Sequence, residues 1–280
     1  MRLTLSPVRT TARKVKTAAH ARSPSQPCHP PHPALARLDG GLRALRSWSA
    51  SRCGAAAADG SSPEGLALVE AVLAVLGELL GTPRAAAALH DADDDRILDG
   101  FLVLADAYDN FGSALLTARQ SVAAVRAGVR RDDGAAVAAS VRAHRRTEKE
   151  LCHIAATMRH ATTVSPRPAD SGATDTKVVD IVAEAATAVA EASAAVFLGC
   201  AAMSPDVAAM VQTVSSHSKW LRRLGVVPVV KKAAPETTVV ALERLEELEE
   251  CIGALEGRSD KVFRRLLQTR VLILNIHNPL

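Results

Sequence analysis

The sequence predicts an all-α protein: an antiparallel bundle of long helices with coiled-coil-like packing and a disordered N-terminal tail. Residues 1–33 form the tail and residues 34–280 a single helical domain. Three observations carry this. From Leu245, the residues Leu245, Leu248, Ile252, Leu255, Val262, Leu266, Ile273 and Ile276 keep an alternating 3,4 spacing, broken only by Ser259 and Thr269. That spacing draws one apolar stripe along a helix, and a stripe of this length needs other helices to cover it. A second alternation runs through Ile97, Phe101, Leu104, Tyr108, Phe111, Leu115, Ala118, Val122, Val125 and Val129. Third, the chain is 48% hydrophobic but only 2% aromatic. A core of Ala, Leu and Val with few rings reads as helix packed on helix.

The elements follow in order. Pro24, Pro27, Pro30, Pro31 and Pro33 deny the tail the backbone donors of a helix. A short amphipathic helix follows over 35–48, with Leu35, Leu38, Leu42 and Leu45 on one face, and the Ala, Gly and Ser of 49–62 read as a linker. Ser62-Pro63-Glu64 is a helix start, a Ser N-cap followed by Pro in the first turn. That helix runs to Leu80, where Gly81-Thr82-Pro83 stops it, and a short helix over 84–90 follows. Asp93, Asp94 and Asp95 sit where the positive end of the next helix dipole favours them. Asp132-Asp133-Gly134 turns the chain into a helix over 135–160. A loop over 161–173, helices over 174–202 and 205–223, a loop over 225–235 and the seam helix over 236–277 complete the chain.

Charge is unevenly spread. Residues 1–38 carry seven basic side chains and no acid, which leaves 27 basic against 30 acidic residues beyond them. The body therefore lacks the positive excess of a nucleic-acid binder, and no nucleic-acid partner is expected. The seam helix is acidic early, at Glu243, Glu246, Glu247, Glu249 and Glu250. The 135–160 helix carries Arg142, His144, Arg145, Arg146 and Lys149. These two runs suggest a pairing of the helices; the alternative is that both face solvent. No stretch has eighteen apolar residues in succession, and the apolar run from Val178 to Met203 is interrupted by Asp180, Glu184 and Glu191. It reads as a buried core helix rather than a membrane span.

The residue types of chemistry are present without the spacing that chemistry needs. Cys28-His29 with His32 lacks a second ligand pair and a rigid frame, so no metal site is assigned. Cys152-His153 puts nucleophile and base types side by side, but helix neighbours point about 100° apart. Asp91 to Asp95 lacks the pattern of a calcium loop. No catalytic residue, cofactor or metal is expected. The five cysteines are odd in number and contain no C-x-x-C pair, which suits reduced thiols in an intracellular, cytoplasmic protein. The basic, acid-free N-terminus leaves a plastid or mitochondrion as the alternative, with residues 1–19 a transit peptide.

One short motif has a mechanism. Arg22, Ser25 and Pro27, within Arg22-Ser23-Pro24-Ser25-Gln26-Pro27, match the pattern that phosphoserine-binding 14-3-3 adaptors read. A phosphate on Ser25 would be gripped by arginines of the adaptor, and Pro27 would turn the peptide out of its groove.

Arg22-Ser23 with the Ser/Pro/His stretch after it, and then Leu38 to Trp48, resembles the start of the plant-specific BYPASS-like proteins. Leu98-Asp99-Gly100 before an amphipathic helix is similar to that family too. So is the ending from Leu245 to Asn278, above all Phe263-Arg264-Arg265-Leu266-Leu267, Thr269-Arg270-Val271 and Leu274-Asn275. The similarity covers about 20–278, with residues 1–19 an extension before the usual start. The resemblance implies an all-helical plant protein of unknown biochemical role, some of whose relatives are linked to root and shoot development through a mobile signal. It brings no catalytic residues. The expected function is therefore that of a non-enzymatic regulatory or scaffold protein acting on protein partners. The alternative is weak membrane-surface association through the basic tail.

Overall fold

The computed structural model describes residues 33–52, 62–92, 95–161, 176–203, 207 and 235–278. Among them are seven helices: α1 Pro33–Arg52, α2 Ser62–Leu80, α3 Pro83–Ala92, α4 Asp95–Arg130, α5 Gly134–Ala161, α6 Thr176–Ala201 and α7 Pro235–His277. The expected tail, the 205–223 helix and the loops over 161–173 and 225–235 lie wholly or almost wholly outside the described residues. So does most of the 49–62 linker, whose first four residues instead extend α1.

Contacts between named side chains set the direction of each helix. Arg37 meets Glu78 while Trp48 lies against Gly65, so α1 and α2 are antiparallel. Ser62, opening α2, touches Gly199 near the end of α6. Arg126 pairs with Glu246 and Glu249 while Arg119 pairs with Glu256, so α4 and α7 are antiparallel. Tyr108 reaches Ser193 and Phe111 reaches Phe197, so α4 and α6 run the same way. Four helices close a ring in the order α2, α7, α4, α6; α1 covers the groove between α2 and α6, and α5 the groove between α4 and α6. The chain bends by 89° from α2 into α3. α3 packs across α6 and α7, and His90 Nδ1 lies 3.1 Å from the carbonyl of Ile276 near the end of α7.

Local chemistry explains the ends. Thr82 Oγ1 accepts the amide of Ala85 at 3.4 Å, and Pro83 opens α3 where a missing donor costs nothing. At the α4–α5 turn, Asp132 takes a left-handed φ of 56°, and Asp133 Oδ1 accepts the amides of Ala135 and Ala136 as an N-cap. Gly128 makes the close approach possible: a Cβ there would stand 2.7 Å from Val137 Cγ2.

Both apolar stripes are buried. On α4, Ile97 to Val125 lie inside and Val129 is half-buried; Ala105, Ala107, Ala114, Ser121 and Gly128 widen the face, because α4 packs on α5, α6 and α7 at once. On α7, Leu245, Ile252, Leu255, Val262, Leu266 and Ile273 are buried, and so are Ser259 and Thr269 where the apolar pattern breaks. Leu248 and Ile276 are half-buried at the margin. α6 is the most enclosed element. Its stretch from Lys177 to Ala201 is long and apolar enough to cross a membrane, with mean hydropathy 1.6. Its neighbours account for that apolarity: α1, α2, α3, α4 and α5 all pack against it. Its many alanines let those helices approach, while Asp180 and Glu191 face solvent and Glu184 pairs with Arg46.

The two seam leucines on α7 should respond differently. Leu266→Ala opens a cavity in a fully buried site and should cost about 3 kcal/mol, whereas Leu248→Ala should cost about 1 kcal/mol. Urea unfolding of the two variants measures the difference; equal losses would place both leucines in the same environment.

Candidate functional site

The most polar part of the interior lies where α4 meets α5. The α5 stripe runs Val137, Val141, His144, Thr147, Leu151, Ile154 and Met158, a 3,4 series with two polar members. His144 and Thr147 are both buried. Ser121 Oγ on α4 lies 2.8 Å from His144 Nδ1 and donates to the Ala118 carbonyl at 2.7 Å. A hydroxyl has one proton, and a carbonyl can only accept. Both bonds are satisfied when Ser121 donates to Ala118 and His144 donates from Nδ1. Burial pushes the His144 pKa below its ordinary value, and Glu148 pulls weakly the other way. His144 is thus a neutral ring at pH 7 with Nε2 as its acceptor.

His144 lines a small cleft together with Thr147, Glu148, Leu151, Cys200 and Met203, closed on the α7 side by Leu248 and Ile252. The cleft gathers the types of a nucleophilic site but pairs them otherwise. Cys200 is buried at the end of α6, and its hydrogen-bond partner is Ser62. Burial pushes its thiol up to about 12, so it holds its proton. Deeper in the core, Tyr108 OH lies 2.8 Å from Ser193 Oγ, which donates to the Val189 carbonyl at 2.6 Å. Burial also raises the Tyr108 pKa. Both buried hydroxyls are therefore satisfied, and they join α4 to α6.

The residues singled out from sequence fall elsewhere. Arg22, Ser25 and Pro27, and Cys28, His29 and His32, lie outside the described residues. Cys152 and His153 are both exposed on α5. Among the described residues no group of three metal-binding side chains comes together. The suggested pairing of the acidic head of α7 with the basic run of α5 is not made; the other reading, that these runs face solvent, holds for most of their members. Arg126 of α4 takes Glu249 at 3.3 Å and Glu246 at 3.5 Å, and Arg119 takes Glu256 at 2.7 Å. Arg142, Arg145, Arg146 and Lys149 face solvent, while His144 turns inward. The reason is position: α4 lies against α7, and α5 packs over α4 and α6.

Two measurements follow from these environments. Under native conditions a thiol reagent should modify exposed Cys152 quickly and Cys200 only on unfolding, read by peptide mass spectrometry. Fast native labelling of Cys200 would contradict its burial. For His144 the folded pKa lies below the unfolded value of about 6.5, so the unfolded chain binds its proton first. Its contribution to stability is full above that value and is lost as pH falls through it. His144→Gln should flatten the decline of unfolding free energy just below pH ~6.5; an unchanged slope would move the titration to another group.

A family model described as Protein BPS1 matches residues 65–276, from the start of α2 to the end of α7. No curated protein and no solved structure matches the chain. The matched span covers six of the seven helices, including both long stripes and the enclosed α6. The chain belongs to the BPS1 family, the BYPASS-like family of plant proteins that its closing helix resembles.

Proposed function

We propose that this chain is a non-enzymatic regulatory or scaffold protein of plant root and shoot development that works by protein contact. The observation that carries the reading is where its polar groups lie. In the core, Ser121 is paired with His144 and Tyr108 with Ser193. The unpaired charges are arrayed along the outer faces of long helices, which is the surface a partner helix or peptide reads. Family membership supports the developmental setting. Within the tail, Arg22, Ser25 and Pro27 supply a docking motif for a phosphoserine-binding adaptor.

A second reading has the chain on a membrane surface, held by its tail. Seven basic side chains and no acid over residues 1–38 favour it. The two readings separate in paired pull-downs of the full chain, phosphorylated on Ser25, against the adaptor and against anionic vesicles. Adaptor docking predicts that Ser25→Ala and Arg22→Ala each abolish capture by the adaptor. The membrane reading predicts no effect of Ser25→Ala and release from vesicles when Arg9, Arg13, Lys14 and Lys16 are neutralised. Proximity labelling in plant cells tests the broader claim: a labelled set indistinguishable from that of the free labelling enzyme would overturn it.

A further inference from the structure

Two complementary stripes of charge face solvent on α5 and α7. On α5, Arg142, Arg145, Arg146 and Lys149 are exposed, and steps of three and four residues hold them on one face within about two turns. On α7, Glu243, Glu247 and Glu250 are exposed with the spacing of Arg142, Arg146 and Lys149. None of the seven has an ion-pair partner among the described residues. Like charges this close on one helix repel each other, so each stripe gains from an opposite one. Residues 1–32 and 208–234 contain no acid, and Glu148 and Glu150 of α5 itself make no ion pair among the described residues.

The register of the bundle places both stripes beside one stretch of α4. The Ser121–His144 bond sets the basic run of α5 against the middle of α4, and Arg126 sets the acidic run of α7 against the turns just beyond. Leu116, Thr117, Gln120 and Ala124 are the exposed α4 residues of that stretch. A two-fold axis outside the bundle, passing over the exposed face of α4 near Ala124, would bring α5 of one copy onto α7 of another. The contact then occurs twice, basic stripe on acidic stripe each time.

We propose that a second copy of this chain docks on this face, as a two-fold dimer held by the α5–α7 charge pairs. Exposed ion pairs are individually weak and screened by salt, so the dimer forms reversibly and is lost as salt rises. This inference stands independently of the functional reading above.

Sedimentation equilibrium of the full chain tests it. A monomer–dimer equilibrium should weaken by about tenfold or more between about 0.05 and 0.5 M salt. Arg145→Glu with Arg146→Glu, and Glu247→Lys with Glu250→Lys, should each give a monomeric protein. The decisive step is to mix them. The first variant then presents acids on both helices and the second bases on both, so the mixture should form a heterodimer. Far-ultraviolet circular dichroism confirms that each variant is folded, and Arg142→Gln with Lys149→Gln replaces the first if it is not; that replacement should weaken the dimer about tenfold. Three results would overturn the proposal: a wild-type monomer at every salt concentration, variants that dimerise as the wild type does, or a mixture that stays monomeric. A monomer that co-sediments with phosphatidylserine vesicles through Arg145 and Arg146 would assign the basic stripe to a membrane and overturn it as well.

Discussion

Everything in this bundle depends on the enclosure of α6. The helix offers almost nothing but Ala and Val to its surroundings, and small side chains give little area for each contact. Enclosure compensates: five neighbouring helices supply the burial that a single alanine face does not. The chain has four Phe, one Tyr and two Trp in all, and it places three of these rings at one spot. Phe111 stacks on Phe197 at 4.1 Å, and Tyr108 meets both rings edge-on. That cluster fixes where α6 sits along α4, and the Tyr108–Ser193 bond fixes its rotation.

The polar groups divide along the same boundary. Inside, the hydroxyls of Tyr108, Ser121 and Ser193 and the imidazole of His144 are paired, because an unpaired donor there costs as much as a lost hydrogen bond. Ser121 and His144 close the α4–α5 contact in this way, and Ser62 does so for the Cys200 thiol. At the half-exposed margin the bonds are ionic: Arg119 and Arg126 hold α7 in register along α4. Beyond the margin Arg142, Arg145, Arg146 and Lys149 of α5 and Glu243, Glu247 and Glu250 of α7 have no ion-pair partner among the described residues.

Much of the fold was legible in the sequence, and for a definite reason. A stripe with 3,4 spacing is a property of one helix alone, so α4 and α7 can be read without knowing what covers them. The helix starts at Ser62 and near Asp95 and the turn at Asp132-Asp133-Gly134 are equally local. Pairing is not local. Arg119 and Arg126 look like any surface arginines in the sequence, and nothing marks them as the partners of Glu256 and Glu249. By residue type His144 belongs with the cations beside it, although the α5 stripe passes through it and through Thr147. Its inward turn needed Ser121, 23 residues away, to become intelligible. The tail motif at Arg22, Ser25 and Pro27 lies outside the described residues and rests on sequence.

The central claim is that α6 is an enclosed core helix, packed by α5, α2, α1, α4 and α3 and pinned along α4 by the ring cluster. Native-state hydrogen exchange, resolved by residue, tests this most directly, because protection follows burial and the free energy needed to open each element. The account predicts that the slowest amides lie in α6 from Val182 to Phe197 and in α4 from Phe101 to Val122, both slower than α1 and α3. Exchange in α6 as fast as in α1, with the protected core elsewhere, would contradict it.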